Sequence, residues 1–209
     1  MRRTLILVRH GKSSWEEASL SDRARPLAAR GLRDAPLMGA RLAHLGVKPD
    51  LILSSPACRT LTTARLLAAE LGYSTNHIAI DEGLYESDAG TLLGVVGAFS
   101  DDLACVLLVG HDPAFTDLAH GFSSGITRMP TCAVARFTFD APSWSALSSC
   151  SPVMALLDFP KKGERGRGLQ AGRNDKGSLG SPCRDGDGVI WLRWAPWCPR
   201  RCRPSHLLP

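Results

Sequence analysis

The chain has 209 residues, with 25 Lys and Arg against 20 Asp and Glu and a formal net charge of +5. Its 44% apolar content excludes a wholly disordered chain. No apolar run nears the roughly 20 residues of a membrane-spanning helix, and Thr4 to Val8 is too short for a signal peptide. The expectation is a cytoplasmic protein of one globular domain, or one domain plus an appendage.

The elements follow in order. Thr4 to Val8 reads as a buried strand that runs into Arg9-His10-Gly11. Leu27 to Leu45 has apolar residues at helical spacing, and Gly46 is a stop. Pro36 must then lie in its first turn or kink it. Leu51 to Leu53 reads as a second strand. Ser54-Ser55-Pro56 then looks like a serine cap followed by proline, opening a helix that ends near Leu71. His77 to Ile80 is a third, weaker strand, and Thr91 to Phe99 a helix. Val106 to Val109 is a strand, followed by Gly110-His111-Asp112-Pro113 and a helix to about Phe122. Val134 to Phe139 and Val153 to Phe159 close the body as strands. This alternation predicts an α/β fold, a three-layer α/β/α arrangement with a mainly parallel central sheet.

The positive charge is unevenly placed. Residues 161–209 hold 11 Lys and Arg against 4 acidic residues, whereas residues 1–160 hold 14 against 16. The body is mildly acidic, and the basic surplus belongs to the tail. The global charge is therefore poor evidence for a nucleic-acid partner. The chain divides into a body, 1–161, and a Gly/Pro/Arg-rich tail, 162–209, of irregular composition. Trp191, Trp194 and Trp197 are unusual in such a segment. Two readings stand for it: a binding strip, which could touch nucleic acid, or a stretch translated in a shifted frame. Cys183, Cys198, Cys202 and His206 fit no common structural-zinc spacing. Cys58, Cys105, Cys132 and Cys150 in the body read as reduced thiols.

Three polar clusters sit at strand ends: Arg9-His10-Gly11-Lys12-Ser13-Ser14, Ser54-Ser55-Pro56-Ala57-Cys58-Arg59, and Gly110-His111-Asp112-Pro113. In a parallel sheet these ends share one edge, where sites form. Two arginines, two histidines and a helix N-terminus would converge there. Guanidinium forks and backbone amides suit a phosphoryl group. Taken singly, each cluster is as well explained by a polar strand end, a surface arginine or a turn histidine.

Together they resemble a known family. Leu7-Val8-Arg9-His10-Gly11-Lys12-Ser13-Ser14-Trp15 is similar to the signature of the histidine phosphatase superfamily, in particular its small SixA-type phosphohistidine phosphatases. Arg25-Pro26-Leu27, Arg30-Gly31, Ser54-Ser55-Pro56 with Arg59, Leu84-Tyr85-Glu86, Val109 to Pro113, Pro130-Thr131-Cys132 and Asp158 to Lys161 extend the likeness over residues 1–161. The resemblance implies His10 as a nucleophile that takes the phosphoryl group, with Arg9, Arg59 and His111 holding its oxygens. Lys12 and Ser13 are further candidate phosphate contacts, and Glu86 is the candidate general acid, ahead of Asp88. The family often carries an acid next to the Arg-Pro-Leu segment, where this chain has Ala24; Asp22 lies nearby. No cofactor or metal is implied. The expected substrate is a phosphorylated protein bearing phosphohistidine. A small phosphate ester, mutase-like transfer, or a non-catalytic binding role for the body are the alternatives.

Overall fold

A computed structural model describes residues 1–162. The readings of the tail, including its cysteines, His206 and tryptophans, fall on residues outside those described. The body forms β1 (Arg2–Arg9), α1 (Ala29–His44), β2 (Leu51–Ser54), α2 (Cys58–Glu70), β3 (Ala79–Ile80), α3 (Ala89–Gly97), β4 (Cys105–Gly110), α4 (Ala114–Phe122), β5 (Val134–Asp140) and β6 (Met154–Asp158). The strands make one sheet in the order β3-β2-β4-β1-β5-β6. Among these, β3, β2, β4 and β1 pair in parallel, while β5 is antiparallel to both β1 and β6. The sheet is thus mainly parallel, as the alternation of elements implies. No helix among the described residues is long and apolar enough to cross a membrane.

Period-2 alternation sorts the core into two layers. Leu5 and Leu7 of β1, with Val106 and Leu108 of β4, face a cluster that holds Leu92 and Val96 of α3 and Phe115 and Leu118 of α4. Ile6, Val8, Leu107 and Val109 face Ala35, Met38 and Leu42 of α1 and Ala64, Leu67 and Ala68 of α2. Because β1 and β4 are covered on both sides, their side chains form continuous apolar runs.

Two expectations need correction, and a third is narrowed. The helix after β2 begins at Cys58 with Ala57 as its cap, and no side chain caps it. The serines are engaged elsewhere: Ser54 Oγ donates to the Ser55 carbonyl, and Ser55 Oγ meets His111. Of the two placements open to Pro36, the first turn is not the one found: it lies inside α1. The carbonyl it leaves unpartnered, that of Leu32, is on a residue 49% exposed, so water can serve it. The third strand is shorter than His77 to Ile80, because Thr75–His77 forms a 3-10 turn and only Ala79–Ile80 pair with β2.

One glycine sets how closely α1 approaches the loop after β1. A Cβ at Gly31 would stand 2.5 Å from the Lys12 carbonyl oxygen and 2.9 Å from the Lys12 nitrogen. Both obstacles are backbone, so the loop itself would have to move. Gly31→Ala is expected to lower stability by about 1–3 kcal/mol, the usual range for overpacking. Gly94→Ala, on α3 with nothing within 4 Å, should raise stability by about 0.5–1 kcal/mol. Denaturant unfolding of both variants checks the pair, and a neutral Gly31→Ala would refute the close approach.

Candidate active site

The adjacent strands β2, β4 and β1 bring the three polar clusters to one edge. Backbone hydrogen bonds lace the loops that follow them. His10 N donates to the Gly110 carbonyl, Ser55 N to that of Val109, and Cys132 N to those of Arg9 and His10. Thr63 of α2 joins in: its Oγ1 accepts from Gly11 N at 3.0 Å and donates to the Arg59 carbonyl.

The hydrogen bonds specify the tautomers of both histidines. His10 Nδ1 is 2.7 Å from the Gly11 carbonyl oxygen. A carbonyl only accepts, so Nδ1 carries the proton and Nε2 keeps its lone pair. His111 Nδ1 is 3.3 Å from Arg59 Nη2, which only donates, so this nitrogen is the acceptor. Its Nε2–H then donates to Ser55 Oγ at 2.8 Å. The two rings lie 5.2 Å apart, tilted by 59°. Both imidazoles are held neutral. Burial pushes His10 down to about 4, with the Arg59 and Arg9 charges adding to it against the Gly11 hydrogen bond. Burial, His10 and Arg59 push His111 down to about 3.

The arginines differ. Arg9 Nη1 donates to the Met129 carbonyl at 2.7 Å and lies 3.0 Å from Asp112 Oδ2. Asp112 in turn accepts from Thr116. Arg9 Nε is buried and has no hydrogen-bond partner among the described residues. Arg59 is nearly buried, and both of its terminal nitrogens are taken by Asp22: Nη1 by the main-chain carbonyl, Nη2 by Oδ2 at 2.7 Å. Asp22 also accepts from Arg25 Nη1 at 2.8 Å and from the Tyr85 hydroxyl at 3.0 Å. Burial alone would raise the Asp22 pKa. The hydrogen bonds from Arg59 and Tyr85 and the charges of Arg59 and Arg25 outweigh it and hold the carboxyl below its usual value. Arg25 stacks over the exposed Trp15 ring at 3.3 Å from its centroid.

The structure brings together His10, Arg9, Arg59 and His111, as the sequence reading expects. It places Ser13 under Arg25, whose Nη2 donates to the serine hydroxyl at 2.6 Å. Lys12 is exposed at the rim. Glu86 is exposed, with φ 54°, and it joins none of the hydrogen bonds of the site. Sequence reasoning does not reach the roles of Ser55 and Tyr85, which appear in it only as parts of motifs, nor that of Thr63. Asp22, three residues before Arg25, begins the 3-10 turn Asp22–Ala24 that holds Ala24. Among the described residues, no three His, Cys, Asp or Glu side chains are grouped to hold a metal ion.

A model of the histidine phosphatase superfamily (branch 1) matches residues 5–98. An uncharacterized chloroplastic protein of Arabidopsis thaliana is 31% identical over 150 residues, covering 68% of this chain and 69% of the relative. A 2,3-bisphosphoglycerate-dependent phosphoglycerate mutase of Sinorhizobium fredii is 35% identical over 97 residues, but this stretch spans only 46% of either chain. A solved structure assigned as the phosphohistidine phosphatase SixA of Agrobacterium tumefaciens is 26% identical with a TM-score of 0.61, covering 66% of this chain and 92% of that one. The protein histidine phosphatase SixA complexed with tungstate shares the fold at TM-score 0.61 and 23% identity, covering 75% of this chain and 94% of that one. The chain belongs to the histidine phosphatase superfamily.

The tautomers and shifts make a direct prediction. In an NMR titration of the free enzyme, His10 is expected to stay neutral down to about pH 4 and His111 to about pH 3. The unfolded chain takes up those protons near the ordinary value of about 6.5. Stability should therefore be full above that value and fall as pH drops from there towards 4. A midpoint near 6.5 for either ring would refute the neutral pair.

Proposed function

We propose that this enzyme is a metal-independent phosphatase that works through a phosphohistidine intermediate on His10 and acts on phosphohistidine carried by a protein. The observation that carries the reading is the His10 ring. Its Nδ1–H is held by the Gly11 carbonyl, so a neutral Nε2 lone pair is free for attack. The P–N bond forms at Nε2 as the bond to the leaving group breaks. The Gly11 carbonyl then faces the positive charge that develops on the ring. Arg9 and Arg59 hold the phosphoryl oxygens, and the charge they meet grows in the transition state. Water attacks the phosphohistidine in the second step and releases inorganic phosphate.

The mouth of the site supports a protein-borne substrate. Between β1 and α1 the described chain has only one 3-10 turn, and between β3 and α3 another, so neither of these segments inserts a domain over the pocket. Lys12, Arg30 and Arg128 are exposed around it; Arg30 donates to Thr131, next to Cys132, and Arg128 lies close enough for its charge to act on Arg9. An open, cationic rim suits a phosphoryl group presented on a larger surface. The likeness to the solved structure assigned as the phosphohistidine phosphatase SixA of Agrobacterium tumefaciens supports the same substrate class.

A labelled phosphodonor is expected to yield an acid-labile, base-stable phosphoenzyme that disappears in His10→Ala. Turnover should be at least about 10-fold faster per enzyme on a phosphohistidine protein than on small phosphate esters, a difference of about 1.4 kcal/mol in the barrier. Wild-type enzyme that never labels and never releases phosphate would end the phosphatase mechanism. Preference for a small ester would end the protein-substrate reading alone.

A further inference from the structure

The best-connected side chain in the pocket is one that the catalytic account above does not use. Asp22 contacts Arg59 on α2, Arg25 in its own segment and Tyr85 in the segment before α3, and its charge reaches His10 and His111. Its position creates a conflict. Arg59 Nη2 donates to the Asp22 carboxylate and to His111, and Nη1 donates to the Asp22 main-chain carbonyl. A phosphoryl group that binds at Nη2 therefore competes with the carboxylate for it. Nothing in the core resists that departure, since residues 15–19 and 21–24 are exposed and the turn Asp22–Ala24 buries no residue.

We propose that Asp22 is an internal ligand of the phosphate site: it occupies Arg59 in the free enzyme, is displaced by the arriving phosphoryl group, and then serves as the proton donor to the leaving group. This rests on the phosphatase reading above. The physical reason is a change of neighbour. In the free enzyme Asp22 is held as a carboxylate by Arg59. Once a phosphoryl group takes over the guanidinium, Asp22 loses that partner and gains a negative neighbour, and both changes favour the protonated form. An acid is thereby made only when a substrate is present.

The steps balance. Asp22 takes a proton from solvent on displacement. His10 Nε2 forms the bond to phosphorus, the bond to the leaving atom breaks, and the Asp22 proton goes to that atom. Water then attacks phosphorus, giving its hydroxyl to the phosphoryl group and its proton to Asp22, and the P–N bond electrons return to Nε2. When phosphate leaves, Asp22 releases the proton and returns to Arg59. Glu86, the carboxylate that the sequence suggests for this task, is exposed and outside the hydrogen-bonded set.

Two measurements on the full chain test the proposal. The first is the binding of inorganic phosphate. Removing the competitor in Asp22→Ala should tighten it by about 3- to 5-fold, the scale of a partly exposed ion pair. The second is the single-turnover rate of phosphoenzyme formation from two donors: p-nitrophenyl phosphate, with an acidic leaving group, and phenyl phosphate, with a poorer one. Asp22→Asn should slow the phenyl donor by about 100-fold or more and the nitrophenyl donor by at most about 3-fold, the pattern of a lost general acid. Glu86→Gln should show no such dependence on the leaving group.

Weaker phosphate binding in Asp22→Ala, or equal losses on both donors in Asp22→Asn, would overturn the proposal and leave Asp22 as a brace for Arg59. A leaving-group-dependent loss in Glu86→Gln instead would overturn it in favour of Glu86. If wild type forms no phosphoenzyme from either donor, the mechanism at His10 fails, while the phosphate-binding comparison still decides whether Asp22 competes for the site.

Discussion

The pairing of β1 with β4 is the constraint on which the site depends. The two strands run level from Thr4 opposite Cys105 to Arg9 opposite Gly110, and the next amide, His10 N, still bonds to the Gly110 carbonyl. A slip of one residue would exchange the two faces of β1, since its side chains alternate between the two core layers. It would also carry His10 away from His111. Eight fully buried side chains, Leu5 to Val8 and Val106 to Val109, oppose that slip. The catalytic geometry is thus inherited from packing that has no chemical role of its own.

The pocket uses burial in two opposite senses. For the histidines, desolvation outweighs the other influences and keeps both rings uncharged. For Asp22 it is outweighed by hydrogen bonds and cations. The result is two neutral nitrogens among fixed charges, which is the electrostatic state that a nucleophile attacking an anion requires.

Much of this was legible in the chain. Apolar runs ending in Arg9-His10 and Gly110-His111 read as strands leading to a shared edge, and the strand order joins those edges. The antiparallel placing of β5 was not legible, because side-chain period carries no information about pairing direction. The start of α2 was misread for a physical reason: a serine before a proline looks like a cap, but Ser55 uses its hydroxyl on His111, 56 residues away in sequence. Asp22 was hidden likewise. Its partners Arg59 and Tyr85 lie 37 and 63 residues distant, and only the folded loop brings them together. Local pattern finds residues that lie in motifs; it cannot assign partners across elements.

Trp15 stands out among the exposed residues of the mouth. Its ring lies against Arg25, and Arg25 holds Asp22. An indole fluoresces according to the charges beside it, so any event that frees or recaptures Asp22 changes the field at Trp15 through a single intervening side chain. The loop after β1 therefore carries its own optical reporter. Displacement of Asp22 by a phosphoryl group, as proposed, would then read out as a change in the emission of Trp15, one of the chain's five tryptophans, with no label added.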